Sequence, residues 1–220
     1  DLLIKDNPLL NDISGLSAIT SINRNLEISN NDSLLNLNGL NNLSTINYGY
    51  LSIMDNALLT QVDALQNLTS VGILGNVEGV LIVNNTALTS LNGLGAMATL
   101  KGSLTIRNNP ALVDLSALNI TSYPIAASGG FYLENNDSLL NLTGMFMQSI
   151  NGQIQVLGND LLQAIDFTIA NPSVVSSLLI DNNLALQSLS GLGTVTQING
   201  SFGGFRVINN DSLQNLNGLN

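Results

Sequence analysis

The chain contains no cysteine and no histidine. Without cysteine it can form neither disulfide bonds nor thiolate metal sites. The usual general bases and nucleophilic dyads of enzymes also need one of these two residue types. A catalytic mechanism would therefore have to use carboxylates alone, which requires at least two acids converging in one cleft.

Basic residues are scarce as well. Five Lys and Arg stand against 15 Asp and Glu, so the formal net charge is −10. Nucleic acids and anionic membrane surfaces are bound by clustered Lys and Arg, and we predict neither partner. No apolar run approaches the roughly 20 residues of a membrane-spanning helix, so no membrane span is predicted.

Aromatic residues make up only 4% of the chain and charged residues only 9%, whereas hydrophobic residues reach 45%. Ordinary soluble domains carry about 25% charged residues. The composition therefore predicts a large aliphatic core, with most surface polarity supplied by amide and hydroxyl side chains.

One pattern is repeated nine times, and each unit contains an Asn that we use as its reference, position 0. Positions −5 and −3 are always apolar, +3 is always Leu, and +6 is always Ile, Leu or Val. Repeats of 23 to 29 residues are typical of a solenoid, in which each unit buries its apolar side against its neighbours. The reference residues are Asn7, Asn31, Asn56, Asn85, Asn109, Asn136, Asn159, Asn183 and Asn210.

The residues before each reference Asn alternate between apolar and variable, as in residues 26–30 and 104–108. Alternation with a period of two predicts a short strand with one side inward. We therefore predict an all-β fold, a right-handed parallel β-solenoid of nine coils of about 25 residues. Residues 1–220 are expected to form a single repeat domain, and the sequence shows no evident caps.

After the reference Asn the apolar spacing changes to three residues. This spacing excludes a strand, and we expect a corner followed by a second short extended segment. Position +8 is usually Gly or Ala, for example Gly39, Ala64 and Gly93, which suits a bend where coils approach closely.

The reference Asn is polar but lies among inward apolar residues. A buried amide must be hydrogen-bonded, and an Asn at the same place in every coil can bond to the coils on both sides. We therefore predict a structural Asn ladder formed by all nine reference residues. A polar binding row is the alternative, which the uniformity of the nine units disfavours.

The pattern Leu-x-Ile-x-x-Asn, as in residues 26–31, resembles the leucine-rich repeat. The doubled Asn30-Asn31, followed by Leu34 and by Gly39-Leu40, resembles the receptor L domain, a β-helical relative found in growth-factor receptor ectodomains and microbial cell-surface proteins. The resemblance extends over the whole chain and implies this fold and an extracellular, cell-surface location. It carries over no ligand site, and the Cys-rich ends of receptor L domains are absent.

Two kinds of glycosylation site are predicted. Sequons outside the ladder begin at Asn42, Asn67, Asn84, Asn119, Asn141 and Asn199, although an Asn-rich chain produces several by chance. Asp-Ser-Leu, repeated at Ser33, Ser138 and Ser212, resembles a bacterial O-glycosylation motif. An undecorated corner turn is the alternative for these three serines.

Outward strand positions form the one extended surface that a partner could contact. Many of them are apolar and three of the five basic residues lie among them, which favours contact with a partner. An ordinary mixed solvent-exposed surface is the alternative. The candidate partner residues are Leu3, Lys5, Met54, Leu81, Val83, Arg107, Tyr132, Leu157, Leu179, Arg206 and Ile208.

The first and last units look like interior coils, since Leu2, Ile4 and Leu10 match their counterparts elsewhere. Terminal solenoid units normally have a polar outer side. We therefore expect either association between copies, end to end or lateral, which can produce a filament, or a longer parent chain. Glycans are a further candidate partner.

The sequence favours a non-enzymatic extracellular cell-surface scaffold, adhesive or fibre-forming and glycosylated. The alternative is a ligand-binding ectodomain that uses the sheet and the loops at 74–78, 122–128 and 199–204. A carbohydrate-active β-helix enzyme comes third, since among the +1 aspartates only Asp137 and Asp160 lie on adjacent coils. One such pair lacks the oxygens that Ca²⁺ requires, so no metal and no cofactor are predicted.

Overall fold

Alternating apolar residues before the reference Asn form a short strand in each of the nine coils. The computed structural model describes residues 1–72, 78–121, 129–200 and 203–219. In chain order the strands are β1 Leu2–Lys5, β2 Ser21–Ile22, β3 Leu26–Ser29, β4 Thr45–Ile46, β5 Leu51–Met54, β6 Ser70–Gly72, β7 Val80–Val83, β8 Thr99–Lys101, β9 Leu104–Arg107, β10 Asn119–Ile120, β11 Gly130–Glu134, β12 Phe146–Met147, β13 Gln153–Leu157, β14 Thr168–Ile169, β15 Ser173–Val175, β16 Ser177–Asp181, β17 Val195–Ile198 and β18 Phe205–Ile208.

The main sheet is parallel and has the strand order β1-β3-β5-β7-β9-β11-β13-β16-β18. Neighbouring strands pair in the register that the repeat predicts, so that Leu26 faces Leu2 on one side and Leu51 on the other. Parallel strands lie about 4.8 Å apart, so nine strands extend over roughly 40 Å. The fold is an all-β parallel β-solenoid, as the sequence predicted.

Shorter strands form three further parallel sheets on the other side of the coils. Their orders are β2-β4-β6-β8, β10-β12-β14 and β15-β17. The second extended segment expected from the sequence is therefore present in coils 1 to 8. In coils 1 to 4 it begins at position +14.

The segment directly after the reference Asn is not extended, and here the expectation was incomplete. In the second coil Leu34, Leu40 and Leu43 each donate a backbone N–H to the carbonyl three residues earlier. Within the described residues, one of these turns is a 3₁₀ helix in four coils, at Ser14–Leu16, Asp63–Leu65, Asn92–Leu94 and Ser190–Leu192. Because a 3₁₀ turn contains three residues, side chains three apart lie above one another and point into the core.

The core is an aliphatic column inside the coils. Leu34, Leu37, Leu40 and Leu43 are fully buried, and the equivalent positions of most other described coils are buried too. Phe131 and Phe167 meet edge to face with ring centroids 5.6 Å apart. Gly39 is needed at its corner, because its φ is +117° and a Cβ there would lie 2.1 Å from the carbonyl oxygen of Ile13.

The side chains of Asn31, Asn56, Asn85, Asn109, Asn136, Asn159 and Asn183 are fully buried. At Asn109 the amide nitrogen Nδ2 donates to the carbonyl of Arg107 at 2.9 Å and to that of Ile82, one coil earlier, at 3.0 Å. Its oxygen Oδ1 accepts the backbone N–H of Asn85 at 3.1 Å. Each such amide therefore satisfies backbone groups of two coils at the point where the strand ends. We call these side chains the inner ladder. At its ends Asn210 is half-buried and makes the equivalent bonds to the carbonyls of Ile180 and Ile208, and Asn7 is exposed.

Replacing Asn109 by Ala should destabilise the protein. A buried carbonyl, a part-buried carbonyl and a buried N–H lose a partner, so the free energy of unfolding should fall by about 1–3 kcal/mol. Urea denaturation followed by circular dichroism measures the change. Asn119→Ala, at an exposed position, is the control and should unfold like the wild type. Equal midpoints for Asn109→Ala and the wild type would contradict this role of the amide.

Candidate functional site

The outward residues of the main sheet form two rows across the coils. Position −4 brings Leu81, Thr105 and Tyr132 side by side, and position −2 does the same for Val83, Arg107 and Glu134. We call this surface the sheet face. All eleven candidate partner residues lie on it: Leu3, Lys5, Arg206 and Ile208 are exposed, and Met54, Leu81, Val83, Arg107, Tyr132, Leu157 and Leu179 are half-buried.

Arg107 lies at the centre of the sheet face and contacts two side chains of the next strand. Its Nη2 lies 2.8 Å from Oε1 of Glu134, and its guanidinium carbon lies 5.4 Å from the centre of the Tyr132 ring. Together with Glu78, Leu81, Ser103 and Thr105, Arg107 and Tyr132 line a depression of about 230 Å³. The ion pair and the ring contact hold these long side chains in place.

Two of the three basic residues of the sheet face are paired with glutamates of the same face. Lys5 lies 2.8 Å from Glu27 of the adjacent strand, just as Arg107 lies beside Glu134. Two of the three cations that the sequence places here are thus neutralised locally. The sheet face is therefore less suited to pairing with an acidic surface than the sequence indicated.

Two groups on the sheet face have shifted pKa values. Burial raises the pKa of the Tyr132 hydroxyl, the positive charge of Arg107 partly offsets this, and the negative charge of Glu134 adds to it. The hydrogen bond to Glu27 raises the pKa of the Lys5 ammonium group. Tyr132 is therefore a neutral hydrogen-bonding group and Lys5 a cation throughout the physiological pH range.

The loops proposed as a binding rim are only partly described. Residues 74–77, 122–128 and 201–202 lie outside the described residues. Of the candidate partner surface, the structure therefore describes the sheet face but leaves out most of these loop residues.

The predicted N-glycosylation sites lie away from the inner ladder. Asn42, Asn67, Asn119, Asn141 and Asn199 are exposed, and Asn84 is half-buried. Asn42 Nδ2 donates to the carbonyl of Ser17 at 2.8 Å, and Asn67 Nδ2 donates to that of Asn41 at 2.6 Å, in each case one coil earlier. The hydroxyl-bearing residue of the Asn199 sequon lies outside the described residues.

The candidate O-glycosylation residues Ser33, Ser138 and Ser212 are half-buried at the corner. Ser33 Oγ donates to the carbonyl of Pro8 at 2.6 Å. This hydroxyl thus already has a structural partner between two coils.

A feature that the sequence analysis missed lies at position −1. Every residue there has a left-handed backbone, with φ between 51° and 62°. Asn, Asp and Gly adopt this conformation most readily, and only these types occur at −1. The recurring Asn, Asp or Gly was the sequence signal that could have indicated it. We call the side chains at these positions the outer row: Asp6, Asn30, Asp55, Asn84, Asn108, Asn135, Asn182 and Asn209, with Gly158 in the seventh coil.

Outer-row side chains bond to one another along the solenoid. Asn84 Nδ2 donates to Asp55 Oδ1 at 2.7 Å, Asn108 Nδ2 to Asn84 Oδ1 at 2.8 Å, and Asn135 Nδ2 to Asn108 Oδ1 at 2.9 Å. These four side chains line a groove of about 520 Å³ together with Thr86, Pro110 and Asp137. We call this surface the corner groove. No basic side chain is among its described lining residues.

The acidic pair considered for catalysis lies nearby. Asp137 and Asp160 are both exposed on adjacent coils, and only Asp137 lines the corner groove. Among the described residues no three Asp or Glu are close enough to hold a metal ion. Within that part of the chain, no helix has the length and apolarity needed to cross a membrane.

Comparison with known proteins identifies one similarity. Residues 20–122 match the family model of the receptor L domain, a segment a little under half of the chain. The remaining coils repeat the same sequence pattern and extend the same parallel sheet. Searches among curated proteins and among solved structures find no match. The similarity predicted from the repeat is therefore confirmed over that segment.

The left-handed backbone of the outer row predicts losses of different size for two substitutions at Asn135. Asn135→Ala should lower the free energy of unfolding by about 1 kcal/mol, because residues with a Cβ other than Asn and Asp rarely adopt this conformation. Asn135→Gly should lower it by less, since Gly accepts positive φ freely. Parallel urea titrations measure both, and an Ala variant as stable as the Gly variant would contradict the assigned conformation.

Proposed function

We propose that the chain is a ligand-binding ectodomain and that the sheet face contacts the ligand. The match of residues 20–122 to the receptor L domain carries this proposal. That family is typically extracellular and non-enzymatic, which supports a binding role outside the cell. The sequence analysis held this function as its alternative, and the comparison supports it better than an adhesive or fibre-forming scaffold.

The centre of the sheet face has the composition of a protein-binding surface. Tyr, Arg and Met are enriched at interfaces, and energetically dominant residues are most often Trp, Tyr or Arg. Here Tyr132 and Arg107 lie next to Leu81 and Val83, and Met54 continues the same row toward the N-terminal coils. Because the Arg107–Glu134 pair and the Arg107–Tyr132 contact preorganise these groups, little side-chain entropy would be lost on binding.

The chemistry of this surface favours a peptide or protein ligand. Its aliphatic side chains suit an apolar partner segment, and its paired charges suit polar contacts around it. A polyanion would be repelled by Glu27 and Glu134, which lie beside Lys5 and Arg107. A partner segment with one or two apolar anchors fits the surface best.

Selection from a peptide library displayed on phage tests the proposal. The wild type should enrich a consensus peptide, and Leu81→Ser/Tyr132→Ala should weaken its affinity at least about tenfold, as expected for central interface residues. The matched control is Leu140→Ser/Tyr48→Ala, which changes the same residue types at positions 47% and 62% exposed and off the sheet face. This control should bind within a factor of about two of the wild type.

Two outcomes would contradict the assignment to the sheet face. One is a consensus peptide that binds both double variants equally well. The other is the absence of any enriched sequence from a folded wild-type protein. Thermal unfolding of each variant verifies that the fold is retained.

We also propose that the protein is glycosylated, at Asn42 or Asn67 in the first place. Both side chains are exposed, and each uses its Nδ2 to donate to a carbonyl of the preceding coil. A glycosylated amide nitrogen keeps one hydrogen, so this bond can persist beneath a sugar. Ser33 is less suited, because its hydroxyl would give up its donated bond to Pro8.

Peptide mass spectrometry of the native protein should find a hexose-containing mass increment on at least one of the peptides with Asn42 and Asn67. Asn42→Gln/Asn67→Gln should remove it, because glutamine is not an acceptor in the sequon. Asn31 also begins a sequon but is fully buried in the inner ladder, and its peptide should be unmodified. Unmodified peptides at both exposed sites would refute this proposal.

A further inference from the structure

The corner groove and the sheet face are separate surfaces of the same coils. The groove follows the end of the strands over coils 3 to 6 and is lined by four outer-row side chains, with Thr86, Pro110 and Asp137 beside them. None of these residues belongs to the sheet face or to the inner ladder. What the groove binds is therefore a question independent of the proposed sheet-face ligand.

Hydrogen bonds within the outer row use only some of the donors and acceptors of its side-chain amides. A side-chain amide has two N–H donors and an oxygen with two lone pairs. Along the hydrogen-bonded row from Asn135 to Asp55, the bonds between side chains use one N–H donor of each Asn. They also use one oxygen lone pair of Asn108 and one of Asn84. Among the described residues each amide thus retains a donor and an acceptor for a further partner, and the hydrogen-bonded row is polarised toward the carboxylate of Asp55.

These amides are also held in place before any ligand arrives. Their backbones share one left-handed conformation, with φ of 57° at Asn84, 54° at Asn108 and 53° at Asn135. Each side chain is fixed by its neighbour, and successive coils repeat at about 4.8 Å. A ligand would therefore meet an ordered array of combined donor and acceptor groups, at little cost in side-chain entropy.

The chemistry of the lining excludes several ligand classes. Two carboxylates and no basic side chain line the described groove, so an anion would be repelled. The described residues hold no group of three Asp or Glu that could chelate a cation. The ring of Pro110 and the methyl group of Thr86 offer small apolar contacts, too small for a purely apolar ligand.

A ligand of these amides must both donate and accept hydrogen bonds, and hydroxyl groups do so. A hydroxyl donates and accepts at the same time, as a side-chain amide does, and adjacent ring hydroxyls can share one amide or one carboxylate. Sugar rings also present C–H groups that fit against Pro110. We propose that the corner groove binds a neutral oligosaccharide along the solenoid axis, with Asn84 and Asn108 as its central hydrogen-bonding residues.

Glycine substitutions test this without disturbing the backbone. Asn84→Gly/Asn108→Gly removes both amides and keeps a residue that accepts positive φ. Asn30→Gly/Asn209→Gly makes the same change in the same row outside the groove and is the matched control. The probe is a microarray of neutral oligosaccharides, followed by calorimetric titration of the wild type with the strongest binder.

The wild type should bind a neutral oligosaccharide saturably. The groove variant should lose at least about tenfold in affinity, since two ligand hydrogen bonds disappear. The control should stay within a factor of about two, because it retains every groove amide. Asn108→Asp should also bind more weakly, because it replaces a donor with a second acceptor.

Other outcomes would overturn the proposal. No binding of any neutral oligosaccharide by the folded wild type would do so. Equal loss in the groove variant and the control would place the sugar elsewhere. Saturable binding of Ca²⁺ by the wild type, without saccharide binding, would identify a cation as the ligand. The peptide selection reports on the sheet face separately, so either proposal can fail alone.

Discussion

The buried amide of the inner ladder is the interaction on which the rest of the structure depends. At the end of each main-sheet strand the backbone turns, and its carbonyls and N–H groups lose their strand partners. In each fully buried member an Asn side chain replaces those partners for two coils at once, as Asn109 does for Arg107, Ile82 and Asn85. Because a buried backbone group without a partner is costly, an apolar residue at this position should destabilise the fold.

The fixed position of the corner in every coil also aligns the residues of both candidate sites. When every coil turns at the same residue, positions −4 and −2 form aligned rows on the sheet face. Position −1 is forced into the left-handed conformation and displays a row of Asn and Asp at the corner. The contacts of Arg107 with Glu134 and Tyr132 all cross between two coils, as do the hydrogen bonds of the outer row. A solenoid without a fixed corner would not align either set.

Much of the fold could be predicted from the sequence, because one simple pattern occurs nine times. Alternating apolar residues such as Leu26 and Ile28 indicated the strands, and the repeat indicated their register. The 3₁₀ turns were missed because apolar residues three apart, as at Leu59, Val62 and Leu65, were interpreted as a corner leading into an extended segment. Each such turn is stable here because neighbouring coils bury its side chains.

The sites were less predictable. The sequence could place Lys5 and Arg107 on the sheet face but could not show their pairing with Glu27 and Glu134, which requires the exact alignment of adjacent coils. The outer row was visible only as a preference for Asn and Asp. Its function depends on backbone angles, and its groove is formed by side chains 24 to 29 residues apart in the chain.

Hydrogen exchange of Asn side-chain amides, measured by nuclear magnetic resonance, tests the role of the inner ladder most directly. The side-chain NH₂ groups of Asn56, Asn85, Asn109, Asn136 and Asn159 should exchange as slowly as the backbone N–H groups of the core strands. Those of the exposed Asn119 and Asn141 should exchange at the rate of free amides. Rapid exchange of the ladder amides in the folded protein would contradict the account.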